Sequence, residues 1–265
     1  MYSALTTLVD RLDSVGKSMP NIIRWGCPVP SFGDLSRATV ATLGLNPSNR
    51  EFMDSGGKEL KGPLRRFPTL GSLNLKKWAD ADSSHLKIIL DACHGYFQGN
   101  PYDRWFRRLD EIVLGTEASF YDGVRCACHL DLIPFATSEK WANLRPTEKK
   151  KLVSIAGDTL GILLRDSSVN TLILNGKTVI NNFEEIAGVE LEKEIMPKWA
   201  LPRTGKDVQG VAYRGIIDSI CGVDLGRNVL VLGYNHNIQS SFGVTNKVIS
   251  EIHKWTRRHS LEARA

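Results

Sequence analysis

Four short segments, Thr39 to Leu45, Val124 to Leu130, Asn170 to Leu174 and Val229 to Tyr234, are almost continuously apolar, and they constrain the fold more than any other feature. A strand apolar on both faces has no solvated side, which is the pattern of a parallel sheet covered by helices. The stretches between them carry helical signals. Leu152 to Leu164 repeats apolar residues at helical spacing behind the start signal Pro146-Thr147-Glu148, and Asn246 to Trp255 puts Val248, Ile252 and Trp255 on one face. Strands alternating with helices predict an α/β chain, a three-layer α/β/α sandwich around a central four-stranded, mainly parallel sheet. The 265 residues contain no repeat, low-complexity tract or linker, so a single domain is expected over 1–265. The first interval between strands is very long, and a long insertion with more than one helix is expected at about 49–115.

Composition excludes several classes. No apolar run approaches a membrane span, and the N-terminal residues mix apolar and charged side chains, so a cytoplasmic chain with no membrane partner is expected. The five cysteines include no C-x-x-C pair, which argues for reduced thiols and against a metal or other cofactor. The net charge of +5 says little by itself. Its distribution says more: Lys58, Lys61, Arg65 and Arg66 lie in a Gly/Pro-rich segment, where loop cations suit phosphate contacts. Arg104, Arg107 and Arg108 surround Trp105 and Phe106 in a run that reads as an amphipathic helix, and Lys149 to Lys151 read as a solvated helix start.

In open parallel sheets ligands bind beyond the C-terminal ends of the strands. Three of those ends are polar: Asn46-Pro47-Ser48 after the first, Asp131-Leu132-Ile133-Pro134 after the second, and Asn235-His236-Asn237-Ile238-Gln239-Ser240 after the fourth. The third, Asn175-Gly176-Lys177, reads as a plain turn. Singly, Asn46-Pro47 is a turn initiator, Asp131 a helix cap and His236 a satisfied loop histidine. An amide, a carboxylate and an imidazole at one sheet edge instead suit a small-ligand or base-binding pocket.

These segments resemble motifs of the uracil-DNA glycosylase superfamily. Gly44-Leu45-Asn46-Pro47-Ser48 is similar to the first motif, Gly-x-Asn-Pro-Gly, of its mismatch-specific and single-strand-selective members. Asp131-Leu132-Ile133-Pro134 looks like the segment where they have Asn-Tyr-Cys-Pro, and His236-Asn237-Ile238-Gln239-Ser240 is similar to their last motif, His-Pro-Ser-Pro with a following wedge residue. The resemblance implies a monofunctional DNA glycosylase that flips a base out of DNA and hydrolyses its N-glycosidic bond. In that scheme Asn46 orients the attacking water and His236, as a neutral donor, stabilises the departing base at O2. Phe67, or failing it Phe52, stacks on the base; Pro47 and Asn237 line the pocket. Ile238 or Gln239 wedges the duplex beside Ser240, and Arg65 and Arg66 contact phosphates. DNA is the expected partner, with no obligatory protein partner, and the chain is expected to act as a monomer.

Two departures bear on the substrate. The family's uracil-reading Asn is here Asp131, and an ionised Asp only accepts hydrogen bonds. It suits the exocyclic N4 amine of cytosine and repels O4 of uracil. The bulky tyrosine that excludes a 5-methyl group is here Ser48. A 5-modified cytosine, hydroxymethylated or glucosylated as in some phage DNA, is therefore the expected substrate, and antiphage defence the expected role. The alternatives are a uracil or damaged-pyrimidine repair enzyme and a non-catalytic DNA-binding module. A hydrolase with Cys128 or Ser240 as nucleophile and His129 or His236 as base lacks a nucleophile-elbow pattern.

Overall fold

The computed structural model describes residues 1–15, 19–100, 102–205, 207–239 and 241–263. In chain order the strands are β1 (Ala38–Gly44), β2 (Ala118–Ser119), β3 (Arg125–Asp131), β4 (Thr171–Asn175), β5 (Glu192–Ile195), β6 (Val211–Ile220) and β7 (Val223–Tyr234). The helices are α1 (Tyr2–Ser14), α2 (Ser83–His94), α3 (Asp103–Val113), α4 (Pro146–Ala156), α5 (Thr159–Arg165), α6 (Lys177–Ala187) and α7 (Asn246–Glu262).

All four apolar segments are strands, and they are adjacent: β3-β1-β4-β7, all parallel. β4 is buried along its whole length, as its unbroken apolar sequence requires. The sheet is larger than the expected four strands. Among the described residues it has seven, in the order β2-β3-β1-β4-β7-β6-β5, so β2 extends one edge and an antiparallel pair extends the other. The extra strands lack the apolar signature: β5, Glu-Lys-Glu-Ile, is exposed throughout, and β6 mixes buried and exposed residues without a continuous apolar run. β6 and β7 join through Cys221 and Gly222, with φ of 51° and 78°, the two left-handed residues of a tight hairpin.

The helix expected over Leu152 to Leu164 is two helices, α4 and α5, parted at Gly157 and Asp158. Asp158 instead receives Arg11 of α1, with Nη2 to Oδ2 at 2.7 Å, which ties the N-terminal helix to this break. α3 realises the amphipathic reading of the Trp105-Phe106 run and packs against α7. The insertion contributes α2, α3 and several single 3-10 turns. It is held by a cluster of rings: Phe32 and Tyr96 meet at 4.7 Å, Phe97 and Phe106 at 4.9 Å, and Phe67 stacks on Tyr96 at 5.6 Å. No described helix is long and apolar enough to cross a membrane.

Candidate active site at the ends of the central strands

Register brings the polar strand ends level. Gly44 pairs with Asp131, Leu43 with Leu174, and Asn175 with Tyr234, so the residues after β1, β3, β4 and β7 emerge along one edge. Pairing continues beyond β1 and β3 as Leu132 N donates to Gly44 O and Ile133 N to Leu45 O, at 3.2 and 3.0 Å.

Asn46 sits just past this ladder, half-buried. Its Nδ2 donates to Thr137 Oγ1 at 2.8 Å and to Pro47 O at 3.2 Å, while the Thr137 hydroxyl donates to Glu139 O at 2.7 Å. Both amide hydrogens are thereby committed, and Oδ1 is the atom left to accept a proton from water. Asp131 is buried across from Gly44, where an added Cβ would overlap Asp131 Oδ1 and stand 2.8 Å from His129 Nε2. His129 bridges Thr42 and Asp131, its Nδ1 2.7 Å from Thr42 Oγ1 and its Nε2 3.7 Å from Asp131 Oδ1. Glycine at position 44 is what allows this chain of polar groups to lie over β1.

Pro47 is buried and Ser48 exposed. The Ser48 hydroxyl caps the turn Asn49–Glu51, accepting from Arg50 N at 3.2 Å, and accepts from Tyr102 Oη at 3.1 Å. The position read as open for lack of a bulky residue in the motif thus has a phenol beside it, supplied by the insertion.

The same turn carries Glu51 inward, a residue the sequence reading missed. Glu51 is 2 % exposed, its Oε1 accepts from Tyr96 Oη at 2.8 Å, and its Oε2 is buried with no hydrogen-bond partner among the described residues. Burial pushes its carboxyl up to about 7, with the charge of Asp131 adding to the rise and Tyr96 and Arg66 opposing it. Ser48-Asn49-Arg50-Glu51 has the spacing of a capping box, which would send the glutamate back to the solvated cap. The ring cluster takes it inside instead. Phe67 and Phe52, the two stacking candidates, both lie in that cluster, buried, with their rings 5.9 Å apart.

On the far side of the edge, Asn175 is not a plain turn residue. Its Nδ2 donates to Gln239 Oε1 at 2.7 Å and its Oδ1 accepts from Ile238 N at 3.3 Å. Gly176, at φ 100°, lets Asn237 approach so closely that a Cβ would stand 3.0 Å from the Asn237 Cβ. The last loop is therefore docked onto the end of β4. His236 is buried within it, its Nε2 2.8 Å from Trp199 O. Burial also lowers its pKa, which favours the neutral ring. A neutral imidazole has one N–H, and a carbonyl partner takes it, so the free nitrogen is an acceptor. This geometry does not give His236 the donor role that the resemblance implies, and β4 separates it from β1 by about 10 Å, two strand spacings.

The wedge assignments also change. Ile238 is 2 % exposed and packs inward, and Gln239 is tied to Asn175 and, at 3.5 Å, to Trp105 O. Ser240 lies outside the described residues. The projecting side chain of this loop is Phe242, 81 % exposed, with the Arg203 guanidinium 4.9 Å from its ring centre. Arg65 and Arg66 are half-buried rather than free on the surface: Arg65 lies 3.7 Å from Glu59 and Arg66 donates to Arg50 O. Arg50, Lys58 and Lys61 are the exposed cations of that region. Cys128 is fully buried and its thiol is pushed up by that burial, so it is no nucleophile at neutral pH. No group of three or more metal-ligating side chains occurs among the described residues.

Comparison of the chain with protein-family models and with curated proteins gives no match in either. The resemblance to uracil-DNA glycosylases is carried by the three short sequence segments alone.

Proposed function

We propose that this chain is a monofunctional DNA glycosylase of the uracil-DNA glycosylase type, a three-layer sandwich acting without a cofactor on a base flipped from DNA. The observation that carries the reading is the fixed amide of Asn46, whose Oδ1 is free at the end of β1, one strand from the Asp131 carboxyl. Asn46 orients a water toward C1′. A weak acceptor suffices, because the N-glycosidic bond breaks first and the oxocarbenium-like sugar needs only a positioned nucleophile. Asp131 accepts from the exocyclic amine of cytosine; stacking of the base on Phe67 requires its buried ring to be uncovered, since Phe32, Phe52 and Tyr96 pack around it. Phe242 is the side chain able to enter the duplex in place of the flipped base.

A 5-modified cytosine is the substrate this site favours, with defence against modified foreign DNA as its role. Asp131 supports cytosine over uracil. Ser48 supports a 5-substituent less strongly, since Tyr102 stands next to it.

The test is incubation of the purified protein with oligonucleotides carrying uracil, cytosine, 5-hydroxymethylcytosine or glucosylated 5-hydroxymethylcytosine, followed by alkaline cleavage of abasic sites. Abasic sites at the modified cytosines are expected. Cleavage confined to uracil overturns the substrate assignment. DNA retention with no base release from any oligonucleotide identifies a binding module instead.

A further inference from the structure

We propose, resting on the glycosylase reading, that Glu51 is the general acid of the site and delivers its proton to the O2/N3 edge of the departing pyrimidine. The site needs such a donor, because His236 spends its N–H on the Trp199 carbonyl. Glu51 has three properties that suit it. It is almost completely buried on the turn that follows Asn46, so it belongs to the loop that holds the water-orienting amide. Its two oxygens are inequivalent: Tyr96 donates to Oε1, which directs an acid proton to Oε2, the buried oxygen without a partner. Tyr96 also stacks on Phe67 at 5.6 Å, so the acid is tied to the ring cluster that holds the proposed stacking residue.

The charged and titratable neighbours agree with this assignment. The charge influence of Asp131, at the end of β3, disfavours a negative charge on Glu51. Arg66, from the loop before Phe67, opposes that effect, and the Tyr96 phenol does so through its hydrogen bond. Tyr102, from the start of α3, also senses the Glu51 charge, and burial raises the phenols of both tyrosines, which therefore remain donors. The net result is a carboxyl raised to about 7, protonated in a large fraction of molecules at neutral pH. In this reading Glu51 serves as the donor and Asp131 as the acceptor. Cytosine offers the matching pair, acceptors at N3 and O2 next to the donor N4 amine, whereas uracil offers an N3–H and an O4 that meet the wrong partners.

The step balances. The C1′–N1 bond breaks heterolytically and its electron pair leaves with the base. The Glu51 proton neutralises that base, leaving a carboxylate. Water held by Asn46 forms the new C1′–O bond and releases a proton to solvent, from which Glu51 is reprotonated.

Single-turnover base release from the best oligonucleotide of the substrate panel, followed across pH, reads the acid directly. The wild-type rate is expected to fall tenfold per pH unit above about pH 7. Glu51→Gln is expected to lower the rate about 100-fold and abolish that limb while DNA binding is retained. Tyr96→Phe removes a hydrogen bond that favours the carboxylate, so the limb should move to higher pH. Infrared difference spectra of wild type against Glu51→Gln give a readout independent of turnover, a protonated-carboxyl band that titrates near pH 7 and is absent from the variant. Active wild type with an unchanged pH profile in Glu51→Gln, or a Glu51 fully ionised at pH 6, overturns the acid role and leaves the glycosylase standing. Wild type that releases no base from any oligonucleotide overturns the glycosylase reading, and the acid role with it.

Discussion

Thr137 holds the amide of Asn46 from the loop that follows β3: Asn46 Nδ2 donates to its hydroxyl at 2.8 Å, and the hydroxyl passes its own hydrogen to Glu139 O at 2.7 Å. This relay fixes which face of the amide is an acceptor. Thr137→Val removes the acceptor and frees the amide to rotate. Base release should fall at least about tenfold with DNA affinity unchanged, and Thr137→Ser should restore it. Asn46→Ala should cost several orders of magnitude in turnover, again without loss of binding. Weakened binding in either variant would make the Asn46 turn a scaffold rather than part of the chemistry.

Asp131 is expected to choose the base. Asp131→Asn supplies an amide that can donate to O4 of uracil and accept from N3–H, so the ratio of uracil to cytosine-type release should rise by about 1–3 kcal/mol of discrimination, or roughly 5- to 150-fold. The ratio is measured on the same oligonucleotide panel, in competition. An unchanged ratio would show that Asp131 does not touch the base, and that its place over Gly44 beside His129 serves packing alone.

Glu51 couples pH to stability. Its folded carboxyl, near 7, lies above the usual 4.5, so above pH 4.5 the unfolded chain releases a proton that the native protein keeps. Stability therefore falls as pH rises from about 4.5 to about 7, by about 3 kcal/mol in total from this group, and then levels off. Glu51→Gln carries no such proton. Its thermal midpoint relative to wild type should be higher at pH 8 than at pH 5, measured by calorimetry or circular dichroism. A pH-independent difference between the two proteins rules out the coupling.

The centre of the sheet was legible because its strands are buried on both faces. Val229 to Tyr234 is an unbroken apolar run for that reason, and from Leu230 onward it pairs with β4. The earlier half of β7 pairs only with β6 and alternates in burial, so it carries no continuous apolar signal. β5 is exposed on every residue and left no trace in hydropathy at all. The site divides in the same way. Asn46 and Asp131 stand at the ends of legible strands, and strand register is enough to bring them together. Glu51 is buried by Tyr96, a contact across the insertion between residues far apart in sequence, and Asn175 acquires its role only when the last loop folds back onto it. His236 was legible as a polar strand-end residue, but its orientation depends on the backbone of Trp199.

The last loop separates a core residue from a protruding one, and their substitutions should behave in opposite ways. Ile238 is 2 % exposed, so Ile238→Ala should destabilise the protein by about 2–5 kcal/mol through the cavity it leaves. Phe242 is 81 % exposed, and Arg203 donates to its carbonyl at 2.6 Å while lying over its ring, so Phe242→Ala should leave the thermal midpoint nearly unchanged. If the ring fills the hole left by a flipped nucleotide, Phe242→Ala should slow base release from duplex DNA far more than from single strands, where no stack needs to be replaced. Replacing Phe242 by Leu, which keeps an apolar wedge, should recover much of the duplex activity. Equal losses on the two substrates would assign the ring to general strand contact, because stacking on single-stranded bases and wedging of a duplex differ in this comparison.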